Sequence, residues 1–471
     1  MKKSILILLF VFSSIVLFAQ NNEISKKFEF NSLTEKDAKF VLKDAYNHYL
    51  FSVINIDGML RYNIINLRKF DQKNQLVQTF TQDFAPKDIS TLNNYLASYE
   101  IGNDKIVVFT ESYSGKLKKK EIFKHIFDKT SGKFETSIVA TYPIESLSKS
   151  GDTYVRKSEN NKYIGICFRR NSPKKEPESV NLIMLDFNTL NTVWQKDVTF
   201  ESTFVTRSIT VTNSGKAVLL REPNSYKEKN YLVLVSADGQ EDKTFETEIK
   251  LHEPKAITIG SQDYLLAFNY PAKGIRRGDF QHLLFYDLDA GSTIQNVSVG
   301  DFNTVKDIKD VVIQNIFQQN NEIILFAEAK AEIVVKPTPG MAVSWDTKYR
   351  YEMPTIIVLG NDGTLKKADK LTDSSNKSSD FYHSFGLVNI KGNYHINNGF
   401  NGGFYQLDSA NNYNNNQNKY VSLSYLMNPR VNPGDVMVYQ LSAYIPESNR
   451  LIFAVMANEK EMYLVNNFNF K

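Results

Sequence analysis

The chain has 471 residues, of which 42% are hydrophobic and 23% are charged, and its formal net charge is +4. Basic and acidic residues are nearly balanced, which argues against nucleic acid or an anionic membrane as the main partner. The single cysteine, Cys167, excludes a disulfide within the chain. Because it lies in the apolar run IGICF, we expect a buried and inert thiol.

The first element is a leader. Lys2 and Lys3 precede an apolar run over residues 5–18, and the small residue Ala19 follows it. This pattern predicts a secretory signal peptide over residues 1–20, cleaved near Ala19 or Gln20. An uncleaved N-terminal anchor is the alternative. Residues 21–471 contain no other run long enough to span a membrane as a helix. We therefore expect an exported protein that is periplasmic, outer-membrane-associated or secreted.

After the leader, one unit recurs along the chain: a polar turn followed by a short apolar strand, as in NNKYIGICFRR from Asn160. The first strand residue after each turn serves as an anchor, and the anchors are about 57 residues apart on average. They are His48, Lys105, Lys162, Lys216, Asp263, Glu322, Asn393 and Arg450. A second landmark is a turn aspartate some 22 to 24 residues after each of the first five anchors, namely Asp71, Asp128, Asp186, Asp238 and Asp287. Two landmarks at one fixed distance indicate a true structural repeat.

The pattern within each unit predicts four short strands. The inner strands are continuous apolar runs, as expected for strands covered on both faces. Repeated four-stranded sheets in a ring form a β-propeller. We predict an all-β, single-domain propeller over residues 21–471 with eight blades. Seven blades are the alternative if the unit around Asn393 is an insertion, and a pair of β-sandwiches is a further alternative that leaves the period unexplained. The last unit lacks an outer strand, so the N-terminal segment KKFEFNSL from Lys26 is expected to complete it and close the ring.

The connections between the second and third strands are long, and they should all emerge on one face. Loops held by a rigid scaffold commonly carry binding sites, and aromatic and arginine side chains are good anchors for a ligand. The sequence therefore predicts a ligand-binding surface formed by Tyr226, Tyr270, Arg276, Arg277, Trp345, Tyr349, Arg350, Tyr351, Phe404 and Tyr405.

Motifs of known enzymes, such as GxSxG, HExxH or a phosphate-binding loop, do not occur in the sequence. The six histidines show no metal-ligand spacing, so neither a metal nor a cofactor is expected. We favour a non-enzymatic binding or scaffold protein of the cell envelope, a monomer whose ligand is a protein, a peptide or a glycan. The alternative is an exported hydrolase or lyase that degrades glycans or peptides with carboxylates at the channel mouth.

The leader, the size and the repeats together resemble uncharacterised exported β-propeller-like proteins of Gram-negative bacteria. The resemblance covers the whole mature chain and is architectural. It implies the fold and the export, and it supplies no catalytic residues.

Overall fold

A computed structural model describes residues 22–32, 34–42, 47–56, 62–83, 91–171, 176–201, 204–223, 230–243, 249–251, 253–271, 282–299, 302, 308–334, 347–371, 385–390, 393–398, 403–406 and 435–467. Almost all of these residues lie in antiparallel strands. The all-β prediction is therefore confirmed.

The N-terminal segment and the first three blades contain strands β1 to β14. Two short strands come first: β1 (Asn22–Ile24) and β2 (Phe28–Glu29). Blade 1 has β3 (Glu35–Leu42), β4 (His48–Ile56), β5 (Tyr62–Phe70) and β6 (Leu76–Asp83). Blade 2 has β7 (Thr91–Ile101), β8 (Lys105–Ser114), β9 (Lys119–Asp128) and β10 (Lys133–Pro143). After a 3₁₀ turn at Leu147–Lys149, blade 3 has β11 (Asp152–Lys157), β12 (Tyr163–Arg169), β13 (Glu178–Asp186) and β14 (Thr192–Phe200).

The next three blades repeat this pattern. Blade 4 has β15 (Phe204–Val211), β16 (Ala217–Pro223), β17 (Tyr231–Val235) and β18 (Gln240–Lys243). Blade 5 has β19 (Ile249–Leu251), β20 (Lys255–Ile259), β21 (Gln262–Pro271), β22 (His282–Asp287) and β23 (Ser292–Ser298), with β19 and β20 both paired to β21. Blade 6 has β24 (Ile308–Gln319), β25 (Glu322–Val334), β26 (Thr347–Gly360) and β27 (Leu365–Lys370).

Two sheets complete the ring. A three-stranded sheet has β28 (Phe385–Ile390), β29 (Asn393–Asn398) and β30 (Gly403–Gln406). The closing blade has β31 (Val436–Ile445), a 3₁₀ turn at Pro446–Ser448, β32 (Arg450–Asn458) and β33 (Glu461–Asn467), and both β1 and β2 pair with β33.

The repeat found in the sequence is confirmed strand by strand. All eight anchors stand at the start of the second strand of a sheet or within one residue of it, as His48 does in β4 and Lys105 in β8. Within each sheet the strands pair in sequence order, and the first strands of most neighbouring sheets contact one another around the centre. The architecture is therefore a β-propeller of four-stranded blades whose first strands surround a central channel.

The favoured count of eight four-stranded blades is not confirmed. Seven sheets have four or more strands, which agrees with the seven-blade alternative, whereas the unit around Asn393 forms a sheet of three strands in the part of the chain that the structure describes. This unit contributes only the short strands β28 to β30 before a polar, Asn-rich segment begins. The three-stranded sheet lies between blade 6 and the closing blade, because it packs on both of them.

Apolar side chains fill every junction between neighbouring sheets. Eight buried clusters each join one sheet to the next, from the cluster between blades 1 and 2 to the cluster between the closing blade and blade 1. Cys167 lies in one of these clusters, where burial raises the pKa of its thiol to about 12. The predicted burial of the thiol is thus confirmed, and burial disfavours the thiolate form.

The turn aspartates stabilise the link between the third and fourth strands. In Asp128 and Asp186, one carboxylate oxygen accepts hydrogen bonds from two backbone N–H groups that follow it in the turn, at 2.7–3.1 Å. These backbone bonds lower the pKa of both carboxyls. The NDG turn of blade 6 requires a glycine at position 363. Gly363 has φ +77°, and a Cβ there would lie 2.3 Å from the ring of Phe285 in blade 5.

The N-terminal segment closes the ring, as predicted. Asn22–Ile24 pairs with Asn467–Val465, and Phe28 pairs with Met462, so pairing starts four residues before the predicted segment. Phe30 is completely buried in the cluster that also contains Phe70 of blade 1 and Ile452 of the closing blade. The junction between the first and last blades is therefore sealed by residues from both ends of the chain.

His48 lies buried at this closing junction. Its ring stacks on Phe70 at 5.4 Å between ring centres, and neither ring nitrogen has a hydrogen-bonding partner among the described residues. Burial and, to a smaller extent, the nearby charge of Arg450 lower the pKa of His48 to about 3. The imidazole is therefore neutral in the folded protein over the whole physiological range.

Phe30→Ala tests the closure. Truncating a fully buried phenylalanine costs about 3–5 kcal/mol, so the free energy of unfolding measured in urea should fall by that amount. Leu76→Ala is the matched control, because Leu76 is 43% exposed on an outer strand and its loss should cost at most about 0.5 kcal/mol. Equal effects of the two substitutions would contradict a closed ring.

His48→Phe tests the acid sensitivity of the junction. The unfolded chain takes up a proton at this position below about pH 6.5, whereas the folded chain does not do so until pH falls to about 3. Stability should therefore decrease as pH falls through this window, by at most about 1.4 kcal/mol per pH unit from this one residue. The variant keeps an aromatic ring on Phe70 and should flatten the plot of unfolding free energy against pH between 6 and 4. An unchanged slope would show that His48 is protonated in the folded state.

Candidate functional site

The two faces of the ring differ in their connections. Turns between first and second strands and between third and fourth strands lie on one face, here called the turn face. Connections between second and third strands lie on the opposite face, the loop face. Several of the latter are long: β12 ends at Arg169 and β13 begins at Glu178, and β21 ends at Pro271 while β22 begins at His282. This asymmetry is the one that the sequence predicts.

The ten predicted ligand-binding residues belong to the loop-face connections and to the strand ends beside them. Tyr226, Arg276, Arg277 and Trp345 lie outside the described residues. Tyr270, Tyr349, Phe404 and Tyr405 lie within strands at the backbone level, paired with Lys250, Glu332, Asn397 and Ile396, respectively. The sequence interpretation placed these residues in loops. In the structure the strands stay paired beyond the end of their apolar pattern, so these residues lie in strands that extend toward the loop face.

The largest such extension is the hairpin of blade 6. Strands β25 and β26 remain paired as far as Val334 and Thr347, whereas β27 pairs only from Thr355 onward. Arg350, on this hairpin, forms an ion pair with Glu352. Tyr351 is buried, so its ring supports the hairpin and is not presented to solvent.

A layer of buried charged groups lies beneath the loop face. Arg221 is completely buried, forms an ion pair with Glu178, and donates to Thr206 Oγ1 at 2.7 Å. Its guanidinium lies 4.0 Å from the centre of the Phe200 ring, and burial lowers its pKa. In blade 1, Arg68 donates to both carboxylate oxygens of Glu35, each at 2.7 Å.

This layer was not predicted, although the sequence contains a signal for it. A charged residue repeatedly ends the apolar run of a second strand, as Arg169, Arg221 and Glu328 do. Glu178 and Arg221 belong to adjacent blades, so their ion pair contributes to the precise fit of one blade on the next. The layer thereby gives the loop-face connections a rigid base.

On the turn face, the channel mouth contains an opening of about 790 Å³. Residues from blades 1, 2 and 3 and from the closing blade line it, and most of them lie in turns or at strand ends. They are Lys39, Phe40, Val41, Ser98, Tyr99, Glu100, Gly102, Asn103, Lys157, Asn161, Phe187, Asn188, Tyr444, Ile445, Pro446 and Glu447. Its volume lies within the range of small-molecule sites. Sequence analysis did not predict it, because its wall is assembled from four different repeats.

One wall of this turn-face opening is a hydrogen-bonded network between blades 1 and 2. Asp37 accepts hydrogen bonds from Tyr95 and from Ser98 Oγ, the latter at 3.2 Å. Lys39 Nζ donates to the carbonyl oxygen of Ser98 at 2.6 Å. Burial raises the pKa of Tyr95, and the Asp37 carboxylate raises it further. This network makes the wall rigid, and the Asp37 carboxylate is already hydrogen-bonded to Tyr95 and Ser98.

Beside the opening, the pKa values of Lys157 and Glu159 in blade 3 and of Lys255 in blade 5 are shifted, and the charge of Lys39 in blade 1 contributes to the shift of Lys157. The surrounding protein lowers the pKa of Lys157 and of Lys255, and the charge of Lys157 also lowers that of Lys255. The same surroundings raise the pKa of Glu159, against the opposing effect of the two lysines. Clusters of titratable groups with shifted pKa values occur more often at functional sites than elsewhere.

Within the described ranges, no group of three or more His, Cys, Asp or Glu residues is arranged to hold a metal ion. The described part of the chain also contains no helix that is long and apolar enough to cross a membrane.

No protein-family model matches the sequence, and neither does any curated protein. Solved structures that align with the chain include the Dos1 propeller, with 8% identity, a TM-score of 0.39, and coverage of 97% of this chain and 98% of that chain. Acylaminoacyl peptidase from Pyrococcus horikoshii aligns with 9% identity and a TM-score of 0.33 over 80% of this chain and 58% of that chain. Prolyl oligopeptidase B from Galerina marginata aligns with 12% identity and a TM-score of 0.37 over 89% of this chain and 54% of that chain. This chain thus spans little more than half the length of the two peptidase chains. Similarity at this level concerns the fold alone, and the propeller architecture described here rests on the chain's own strand order.

Proposed function

We propose that the protein is an exported, non-enzymatic binding or scaffold propeller of the bacterial cell envelope, which holds a protein, peptide or glycan ligand on its loop face. The observation that carries this proposal is the asymmetry of the ring. One face is closed by short capped turns, whereas the other bears the long connections and the projecting hairpin of blade 6. A rigid ring that presents elaborated loops on one face suits recognition, because little conformational entropy is lost on binding.

Export is supported by the position of the closing strand. The proposed cleavage near Ala19 or Gln20 lies just before β1, which starts at Asn22, so removal of the leader would leave the ring closure intact. Amino-terminal sequencing of the protein recovered from a periplasmic extract should therefore begin between residues 20 and 22. A protein that retains Lys2 and Lys3 would have kept its leader as an anchor.

The hairpin of blade 6 offers a direct test of the loop face. Val334 and Thr347 are paired partners, so residues 335–346 can be replaced by Asn-Gly, a two-residue turn that suits such a hairpin. The replacement removes Trp345 and leaves the described ladder intact. We expect the wild type to bind at least one member of an array of bacterial cell-wall and capsular oligosaccharides or of a random-peptide library. The variant should bind it at least about tenfold more weakly, the equivalent of about 1.4 kcal/mol.

Lys133→Gln is the control, because Lys133 is exposed beside a turn on the opposite face and should not change binding. Absence of binding by the wild type, or equal binding by the shortened variant, would refute the loop-face proposal.

A second candidate function is an exported glycan- or peptide-degrading hydrolase or lyase. The observation that favours it is the group of Lys157, Glu159 and Lys255 beside the turn-face opening, where the pKa of the carboxyl is raised and the pKa values of the lysines are lowered. Such shifts bring acids and bases closer to the pH at which they exchange protons. Release of new reducing ends or new amino groups from any member of the same panel would establish this function in place of the first.

A further inference from the structure

Two lysines, Lys39 and Lys157, line the turn-face opening together with two glutamates, Glu100 and Glu447. Lys157 Nζ donates to the side-chain oxygen of Asn161 at 2.5 Å, and Arg156 donates to the carbonyl oxygen of Val155 at 3.1 Å. Among the described residues, no carboxylate oxygen lies within 4 Å of the charged nitrogens of Lys157, Arg156 or Lys255. The charge of Glu159 acts on Lys157 and Lys255 from beyond ion-pair distance, as does that of Glu253 on Lys255. A lysine with no carboxylate in direct contact can still bind an added anion.

Two carboxylates at the opening, those of Glu100 and Asp37, already have bonding partners. Glu100 forms an ion pair with Lys129, a completely buried lysine that also donates to the carbonyl oxygen of Asn103 at 3.1 Å. Asp37 accepts hydrogen bonds from Tyr95 and Ser98 and lies 3.5 Å from Lys39. Glu447 lines the opening, the charges of Glu159 and Glu253 act on Lys255, and all three glutamates are exposed. Lys39 therefore already has a carboxylate beside it, whereas Lys157 has none within 4 Å among the described residues.

Neutral groups of the wall suit a hydroxyl-bearing ligand. Three side-chain amides line the opening, those of Asn103, Asn161 and Asn188, and each can donate to and accept from a hydroxyl group. The Tyr99 ring lies beside them and packs on the buried Phe187 ring of blade 3, with ring centres 6.2 Å apart. Amides next to aromatic rings provide both hydrogen bonds and apolar surface for a sugar ring.

We propose that the turn-face opening binds an acidic oligosaccharide, with an anionic group at Lys157 and its sugar rings against the amides and the Tyr99 ring of the wall. An acidic peptide fits less well, because turns and strand ends from four sheets form the wall and provide no continuous strand edge with which an extended peptide could pair. The site is separate from the loop face and does not depend on the function proposed for that face.

Isothermal titration calorimetry of the full chain tests the proposal with four probes: trigalacturonic acid, the neutral trisaccharide maltotriose, triglutamate and sodium sulfate. Trigalacturonic acid should bind, and maltotriose should bind at least about tenfold more weakly, since charge-assisted hydrogen bonds supply much of the affinity. Raising the NaCl concentration from about 50 mM to about 500 mM should weaken the binding, because salt screens charges at an open site.

Lys157→Gln should weaken trigalacturonic acid binding about tenfold, as expected for the loss of a hydrogen bond to a charged group, whereas the control Lys133→Gln should leave it unchanged. Each variant should unfold at the temperature of the wild type, which separates a lost contact from a lost fold. The variant that lacks residues 335–346 should bind trigalacturonic acid as the wild type does, which keeps this result independent of the loop face.

The other outcomes would overturn the proposal. Equal binding of maltotriose would show that charge is not recognised. Tighter binding of triglutamate would assign the opening to acidic peptides, and equally tight binding of sulfate would reduce it to a general anion site. Absence of trigalacturonic acid binding, or an unchanged affinity of Lys157→Gln, would refute the assignment.

Discussion

The structure depends on burial of apolar sheet faces between neighbouring sheets around a closed ring. An isolated four-stranded sheet with apolar residues on both faces would expose them to water, so each blade needs a neighbour on both sides. In an open row the terminal sheets would each lack one neighbour. Pairing of the N-terminal strands with β33 joins the two ends of the row, and the cluster around Phe30 and Phe70 then has the same role as every other junction.

The same constraint separates the chemistry of the two ends of the channel. Apolar side chains occupy the middle of the blades, and polar side chains can occur only where the strands leave the core. Toward the loop face, buried charges such as Arg221 and Glu178 neutralise one another within the wall. Toward the turn face, Lys39 and Lys157 line the channel mouth, and the charge of Lys157 lowers the pKa of Lys255. One end is therefore a buried, charge-balanced base for long connections, and the other is an open site lined by both lysines and glutamates.

The architecture could be predicted from the sequence because local sequence patterns specify its strands and turns. The anchors mark the second strands, and aspartates such as Asp128 cap the turns after the third strands. The three-stranded sheet could not be predicted in the same way, because the strand pattern ends there in a polar, Asn-rich segment. Strand extension at Tyr349 was missed as well, since backbone pairing continues without an apolar pattern to mark it. The channel group of Lys39, Lys157 and Lys255 comes from three different repeats, and only ring closure brings its members together.

The anchor position changes character along the chain, and it is buried at the closing junction as well as at Asp263 of blade 5. In blades 2 and 3 the anchors Lys105 and Lys162 are exposed, as expected for a strand that starts at a surface turn. At the closing junction the same position is occupied by His48 and Arg450, and both are completely buried. There the Asp71 turn of blade 1 packs over the closing blade, and Arg450 and Asn466 both donate to the carbonyl oxygen of Gln72. A polar contact of this kind is sensitive to geometry in a way that apolar packing is not. It therefore adds a directional fit to the one junction whose partners come from opposite ends of the chain.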